Sequence, residues 1–481
     1  MDILNGLVIL EGDYWFARFL IQRCIGLVYL IAFINALNQF IPLLGEDGLL
    51  PLPNYLPRLS FKQKPSLFHW HYSDRLFKYI AWSGIILSLV AVSGLSDSGP
   101  FWLSMVVWLA LWVLYQSIVN VGFIFYGFGW ESMLLEVGFY VIFLGPLDWA
   151  APVLVIWMIR WMLFRVEFGA GLIKMRGDQC WRDLTCLTYH HETQPLPNPL
   201  SRFAHQLPRW FHKTETFSNH AIQLVVVWGL FFPQPVAAIS AVLIMLSQSY
   251  LIITGNYSWL NFLTIFLAFS GFSDGIIQMA LGLAPPAVAA LPVGYHIVII
   301  LLALVVIYMS MAPIKNMMSP RQKMNASFNN IHLVNTYGAF GSVTKQRYEI
   351  IIEGTRDDIK TTEEAEWKAY EFKGKPGDPN QRSPQISPYH LRLDWQMWFA
   401  AMSASPRAHP WFRPLIRKLL QNDEATLKLL KKNPFPNEPP TYIRARLFRY
   451  QYATKQERKE EGLWWKHQYI SDYMPAVSLH D

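Results

Sequence analysis

Long apolar runs dominate the first two thirds of the chain. Phe19–Ile41, Tyr79–Leu95, Phe101–Tyr126, Pro152–Ile173, Pro235–Thr254, Trp259–Leu283 and Val293–Ile314 approach or exceed the roughly 20 apolar residues that carry a helix across a bilayer. Two shorter runs, Met133–Leu147 and His220–Pro233, have the length of a short span, a re-entrant segment or an interfacial helix. After Lys315 the sequence turns polar and aromatic, with no run long enough to span. The pattern predicts a membrane all-α fold over residues 1–314, a polytopic helical bundle of about seven to nine spans. A C-terminal soluble β-rich (α+β) domain is expected over residues 315–481. There Ile443, Ala445 and Leu447 alternate with Tyr442, Arg444, Arg446 and Phe448, the period of a half-buried strand. Tyr348–Glu353 alternates more weakly. Phe412–Lys432 reads as one helix closed by Pro434, and Lys455–Glu461 as a solvated loop or helix face.

Composition agrees with this division. Of 481 residues, 52% are hydrophobic and only 16% charged, whereas soluble domains carry about 25% charged residues. The net charge of +7 comes without a Lys/Arg stripe, so no nucleic acid is expected and the basic rim suits membrane lipid headgroups. Glu11 and Asp13 stand where a signal peptide would be basic, so Phe19–Ile41 is read as a retained first span. Basic residues gather between the first two spans, in the connection after Ile173 and after the last span. The connections near Ser96–Pro100, Gln234 and Ala284–Pro292 carry none. Nine crossings put all three basic segments on one face. Cys180 and Cys186 lack the C-x-x-C spacing; a loop disulfide and two free buried thiols both remain open.

Candidate chemistry concentrates around one connection, a functional loop at residues 174–218. Arg160, Glu167 and Lys174 recur every seven residues on one helix face, with Arg165 on roughly the opposite side. A mid-membrane Arg costs roughly 3 kcal/mol on the insertion scale, so these groups need partners or water. The expected polar site comprises Arg160, Arg165, Glu167, Lys174, Arg182, Asp183, His190, Glu192 and His205. The alternative is that these charges form ion pairs that fix helix packing. The histidines match no zinc signature, HExxH is absent, and no metal or cofactor is expected. Asp274 is either an intramembrane functional group or a loop residue. Glu131 and Glu136 are read as interfacial caps.

Longer strings carry a more specific signal. Gly129–Phe139 (GWESMLLEVGF), Arg160–Thr185, Tyr189–Pro199 (YHHETQPLPNP), His332–Thr355, Trp367–Pro379, Pro388–Ala401 and Leu463–Leu479 follow one another in the order found in the lipase maturation factors. The chain resembles that family along nearly its whole length. The membrane part is also distantly similar to the horizontally transmitted transmembrane (HTTM) domain of vitamin K-dependent carboxylases. The resemblance implies a multi-pass protein of the endoplasmic reticulum membrane, or of the cytoplasmic (inner) membrane in a bacterium. It implies a chaperone rather than an enzyme, one that helps exported clients such as secreted lipases fold and assemble. Trp395, Trp398, Phe399, Trp464 and Trp465 are the aromatic candidates for receiving such a client. The rival reading is a membrane enzyme with Arg160, Glu167, Lys174, Asp183 and His190 around a lipid, quinone or protein substrate. The positive-inside rule puts the basic face in the cytoplasm, whereas the resemblance puts the C-terminal domain in the lumen or periplasm, which is the orientation expected here.

Overall fold

The computed structural model describes residues 11–359 and 364–480. Among the described residues, five helices are long and apolar enough to cross a membrane: α1 (Trp15–Leu44), α2 (Asp74–Ser93), α3 (Phe101–Val121), α8 (Val236–Thr254) and α11 (Val293–Met318). They are joined in the bundle by α4 (Gly129–Ile142), α5 (Val153–Arg176), α6 (Leu187–Thr193), α7 (Arg209–Leu224), α9 (Leu260–Ala268) and α10 (Asp274–Leu281). The stretch Leu260–Gly271 and α10 meet at 95°, which makes a sixth span if the bent pair is one crossing. Seven to nine crossings are therefore not confirmed. α4 and α7 are short, and α5 carries Arg160, Arg165 and Glu167 within its apolar stretch.

The bend at α10 explains Asp274. Its carboxylate accepts from the backbone N–H groups of Trp15 (2.8 Å) and Phe16 (3.0 Å), so it caps the start of α1 from a distant part of the chain. At the same end, buried Arg18 donates to the carbonyls of Leu147 (3.0 Å) and Trp149 (2.6 Å), fastening α1 to the α4–α5 connection.

Glu131 and Glu136 are not interfacial caps; both are fully buried on α4. Arg392 of the C-terminal part donates to Glu131 at 2.8 Å, and Tyr115 also donates to it. Arg392 further reaches Asn35 Oδ1 (3.0 Å) on α1 and the Phe125 carbonyl (2.6 Å). Glu136 is paired with Arg165 and accepts from Tyr337 Oη (2.7 Å) and the Asn335 N–H (2.9 Å). A buried carboxylate this far from water needs such partners, and the sequence supplies them from segments far along the chain. After α11 the chain runs back along α5. A side chain at Gly169 or Gly177 would collide with the carbonyls of Tyr337 and Gly341, so glycine is what allows the close approach.

The C-terminal part is built on a four-stranded antiparallel sheet. Its strands are β1 (Arg347–Thr355), β2 (Lys368–Ala369), β3 (Tyr442–Tyr452) and β4 (Trp465–Val477), in the order β2-β1-β3-β4. Ile350 and Ile352 of β1, with Ile443 and Ala445 of β3, enter the main core. That core continues through α12 (Arg392–Ala401) and α13 (Phe412–Leu420) into the bundle. β3 is not half-buried along its length: Phe448 and Tyr450, on its opposite face, are buried with Trp465 in a satellite cluster. Nor does one helix run to Lys432. Asn422 adopts φ +54°, the Asp423 side chain caps a new four-residue turn, and Leu430–Lys432 is a strand. Lys455–Glu461 is an exposed helix with a Thr454/Glu457 capping box.

Glu136→Gln leaves Arg165 buried without its counter-charge, a loss of about 3–5 kcal/mol for pairs of this kind. The single variant should melt well below wild type in detergent. The double variant Glu136→Leu, Arg165→Met should recover part of that loss. Equal melting temperatures for wild type and Glu136→Gln would remove the pair from this role.

Candidate functional site

Where α5, α6, α7, α8 and α12 meet, the fold encloses a cavity of about 990 Å³ with an open mouth. Its walls are largely apolar and aromatic, with Trp130, Phe340, Trp395, Trp398 and Phe399 among them. Small-molecule sites run to about 1,000 Å³, so the space suits an amphiphile or a protruding peptide segment, not a folded protein.

Polar groups enter from one side. Glu167 lines the cavity and accepts from Gln248 Nε2 at 2.6 Å. One helical repeat on, Lys174 donates to Asn219 Oδ1 (2.6 Å) and Gln223 Oε1 (3.0 Å), so α7 meets it with amides rather than a carboxylate. His190 also lines the cavity, with Nε2 3.1 Å from Tyr257 Oη. The Tyr257 hydroxyl proton is committed to Gln194 Oε1 (2.7 Å), so His190 Nε2 carries the hydrogen that Tyr257 accepts. Burial pushes the His190 imidazole down to about 3, so it stands neutral. Beside it Cys180 and Cys186 are disulfide-bonded, closing the loop that precedes α6.

The other expected site residues lie elsewhere. Arg160, on the same stripe as Glu167, points to the far end of the bundle. It donates there to the carbonyls of Ser270 (2.8 Å) and Leu230 (3.2 Å) and to Tyr14 Oη (3.1 Å). Arg165 is consumed by Glu136. Arg182 and Asp183 are exposed. Arg182 caps the end of α5 through the carbonyls of Met175 (2.7 Å) and Gly177 (3.2 Å), and Asp183 accepts from Gln179. Glu192 accepts from the Tyr452 N–H at 2.8 Å and lies 3.6 Å from His205 Nε2, tying α6 to β3. Burial raises the Glu192 carboxyl and lowers the His205 imidazole to about 4. The five-residue set of the enzyme reading is thus not assembled: Glu167, Lys174 and His190 share the cavity, Arg160 and Asp183 do not.

The aromatic candidates divide in the same way. Trp395, Trp398 and Phe399 of α12 line the cavity, and Trp398 Nε1 donates to the Thr193 carbonyl at 3.2 Å. Trp465 stacks on Tyr452 with ring centres 4.0 Å apart, and Trp464 lies beneath Arg458 at 3.5 Å; neither lines the cavity. Sequence reading passed over Glu215, Gln248 and Tyr257. Glu215 and Gln248 sit one helical turn or two from other polar residues of their helices, a faint signal. Tyr257 gave none, because only the fold brings it to His190.

Residues 16–279 match the family model described as the lipase maturation factor transmembrane domain, and residues 333–475 the one described as the lipase maturation factor C-terminal domain. Lipase maturation factor 1 of Bos taurus is 41% identical, covering 98% of this chain and 90% of that protein. Its Homo sapiens counterpart is 40% identical over 98% and 89%. Lipase maturation factor 2 of Xenopus laevis is 29% identical over 98% and 83%. No solved structure matches the chain.

His390, buried behind the cavity wall, is held among Phe128 (4.6 Å), Trp130 (5.1 Å) and Trp395 (5.9 Å), which line it. Burial, with Arg392 nearby, lowers its imidazole to about 4. A histidine lowered in the fold binds its proton more readily when unfolded. Its contribution is therefore complete above the ordinary value near 6.5 and is lost as the pH falls toward 4, by up to about 1.4 kcal/mol per pH unit. The melting temperature should fall between pH 7 and pH 5, and His390→Phe should flatten part of that slope. An unchanged slope in this variant would show that His390 titrates normally.

Proposed function

The chain belongs to the lipase maturation factor family, and on that premise we propose that it is a multi-pass membrane chaperone for an exported lipase-like client. The observation that carries this reading is the cavity mouth. Phe399 and Met402 stand 37% and 44% exposed there, at the seam between the helical bundle and the C-terminal domain. Exposed apolar side chains beside a deep apolar recess fit an incompletely folded partner that still exposes its own apolar surface. Glu167, Lys174 and His190 lie beneath that mouth and give the recess a polar end.

The proposed topology has nine crossings, a bundle over residues 1–314 and a soluble domain over residues 315–481. Contacts at the two ends of the bundle support it. Residues 174–218, the segment Pro65–Ser66 and the C-terminal domain gather at one end: Arg202 donates to the Ala453 carbonyl, and Asn120 bridges the carbonyls of Pro65 and Asn330. Asp274, Arg18 and the α4–α5 connection gather at the other. In this reading the C-terminal end faces the lumen of the endoplasmic reticulum, or the periplasm in a bacterium. The disulfide at Cys180–Cys186 suits an oxidising face.

A photo-crosslinking amino acid at Phe399 should capture a newly made, co-expressed secreted lipase, while the same group at exposed Tyr469 on β4 should not. Phe399→Asp should lower secreted lipase activity by about tenfold at unchanged abundance of this protein, the measure of losing one apolar anchor. Equal capture at both positions, or full lipase activity with Phe399→Asp, would refute the seam as the client site.

A further inference from the structure

We propose that His191, His212 and Glu215 form a binding site for a divalent transition metal of the zinc class at the wall of the cavity. α7 supplies His212 and Glu215 from positions three apart on one face, and α6 brings His191 across to them. No spacing in the sequence announces this set, because its members come together only when α6 folds against α7.

One ligand atom from each of the three residues lies within 4.8 Å of the others, which leaves room for a shared cation. His191 Nε2 lies 3.2 Å and 3.3 Å from the two carboxylate oxygens of Glu215, and His212 Nδ1 lies 3.5 Å from Oε2. Charge-assisted hydrogen bonds close to about 2.7–2.9 Å. Ligand atoms arranged tetrahedrally around an ion at about 2.0–2.1 Å stand about 3.3 Å from each other.

The tautomer of His212 adds an independent observation. Its Nε2 lies 3.4 Å from the His205 carbonyl, which can only accept, so Nε2 carries the hydrogen. Its Nδ1, on a side chain 2% exposed, has no hydrogen-bond partner and faces a Glu215 carboxylate oxygen 3.5 Å away. A cation between this nitrogen and the carboxylate gives both a partner. Holding a metal-ligating histidine through its other N–H on a backbone carbonyl is the usual way such a ring is fixed.

His191 and Glu215 also line the cavity, so a metal on three protein ligands directs its remaining positions into it. Those positions take an oxygen donor, such as the carboxylate head of an amphiphile whose apolar body occupies the aromatic end. The site stands whether or not the client reading holds.

The test uses the full chain purified in detergent, stripped with a chelator, loaded with excess zinc and passed through gel filtration. Wild type should retain one zinc per chain and melt at a higher temperature with zinc than without. Glu215→Gln and His212→Gln should each lose most of the retained metal, whereas His467→Gln, an exposed histidine on β4, should keep it. No retained zinc in wild type, or retention by Glu215→Gln and His212→Gln equal to that of wild type, overturns the site. Should those variants fail to accumulate, X-ray absorption of zinc-loaded wild type decides. A shell of two imidazoles with oxygen supports the site, and a shell without imidazole overturns it.

Discussion

Two carboxylates on one short helix hold the molecule together. Glu131 and Glu136 are completely buried, and neither has a counter-charge on its own helix. Glu131 is neutralised by Arg392, 261 residues later, and Glu136 by Arg165 with Asn335 and Tyr337. Pairs of this kind add little net stability relative to an apolar core, but breaking one leaves an uncompensated buried charge. They therefore act as registration points. α12 cannot settle against the bundle except where Arg392 meets Glu131, Asn35 and the Phe125 carbonyl.

The cavity is a consequence of that registration. Its membrane-side walls come from α5, α7 and α8, and its aromatic cover comes from α12. Arg347 repeats the principle on the other flank, donating from β1 to the carbonyls of Glu192 and Pro195 while paired with Glu349. The C-terminal domain is thus a structural part of the bundle's recess. A family whose relatives are named for the maturation of lipases has, in this member, an apolar mouth at the junction of its two parts.

The division into an apolar helical part and a strand-containing C-terminal part was legible because hydropathy and period-two alternation are local signals. Residues 174–218, singled out for their density of polar groups, supply His190 and His191 to the cavity wall. Pairings were not legible. The heptad stripe placed Arg160 with Glu167 and Lys174, but seven residues on a helix also span about 10 Å, enough to put Arg160 at a different depth among the carbonyls of Ser270 and Leu230. Glu131 and Glu136 looked like caps because nothing near them in sequence could answer their charge. Trp464 and Trp465 looked like binding aromatics, yet Trp465 is fixed by stacking on Tyr452, a neighbour known only from the β3–β4 pairing.

Arg392 on Glu131 docks α12 and so closes the cavity. Deuterium uptake of the Arg392–Ala401 amides, compared between wild type and Glu131→Gln in the full detergent-solubilised chain, measures it directly. α12 should be as protected as the centre of α1 in wild type and exchange much faster in the variant, while α1 itself stays protected. Fast exchange of α12 in wild type, or equal protection in both proteins, would contradict it.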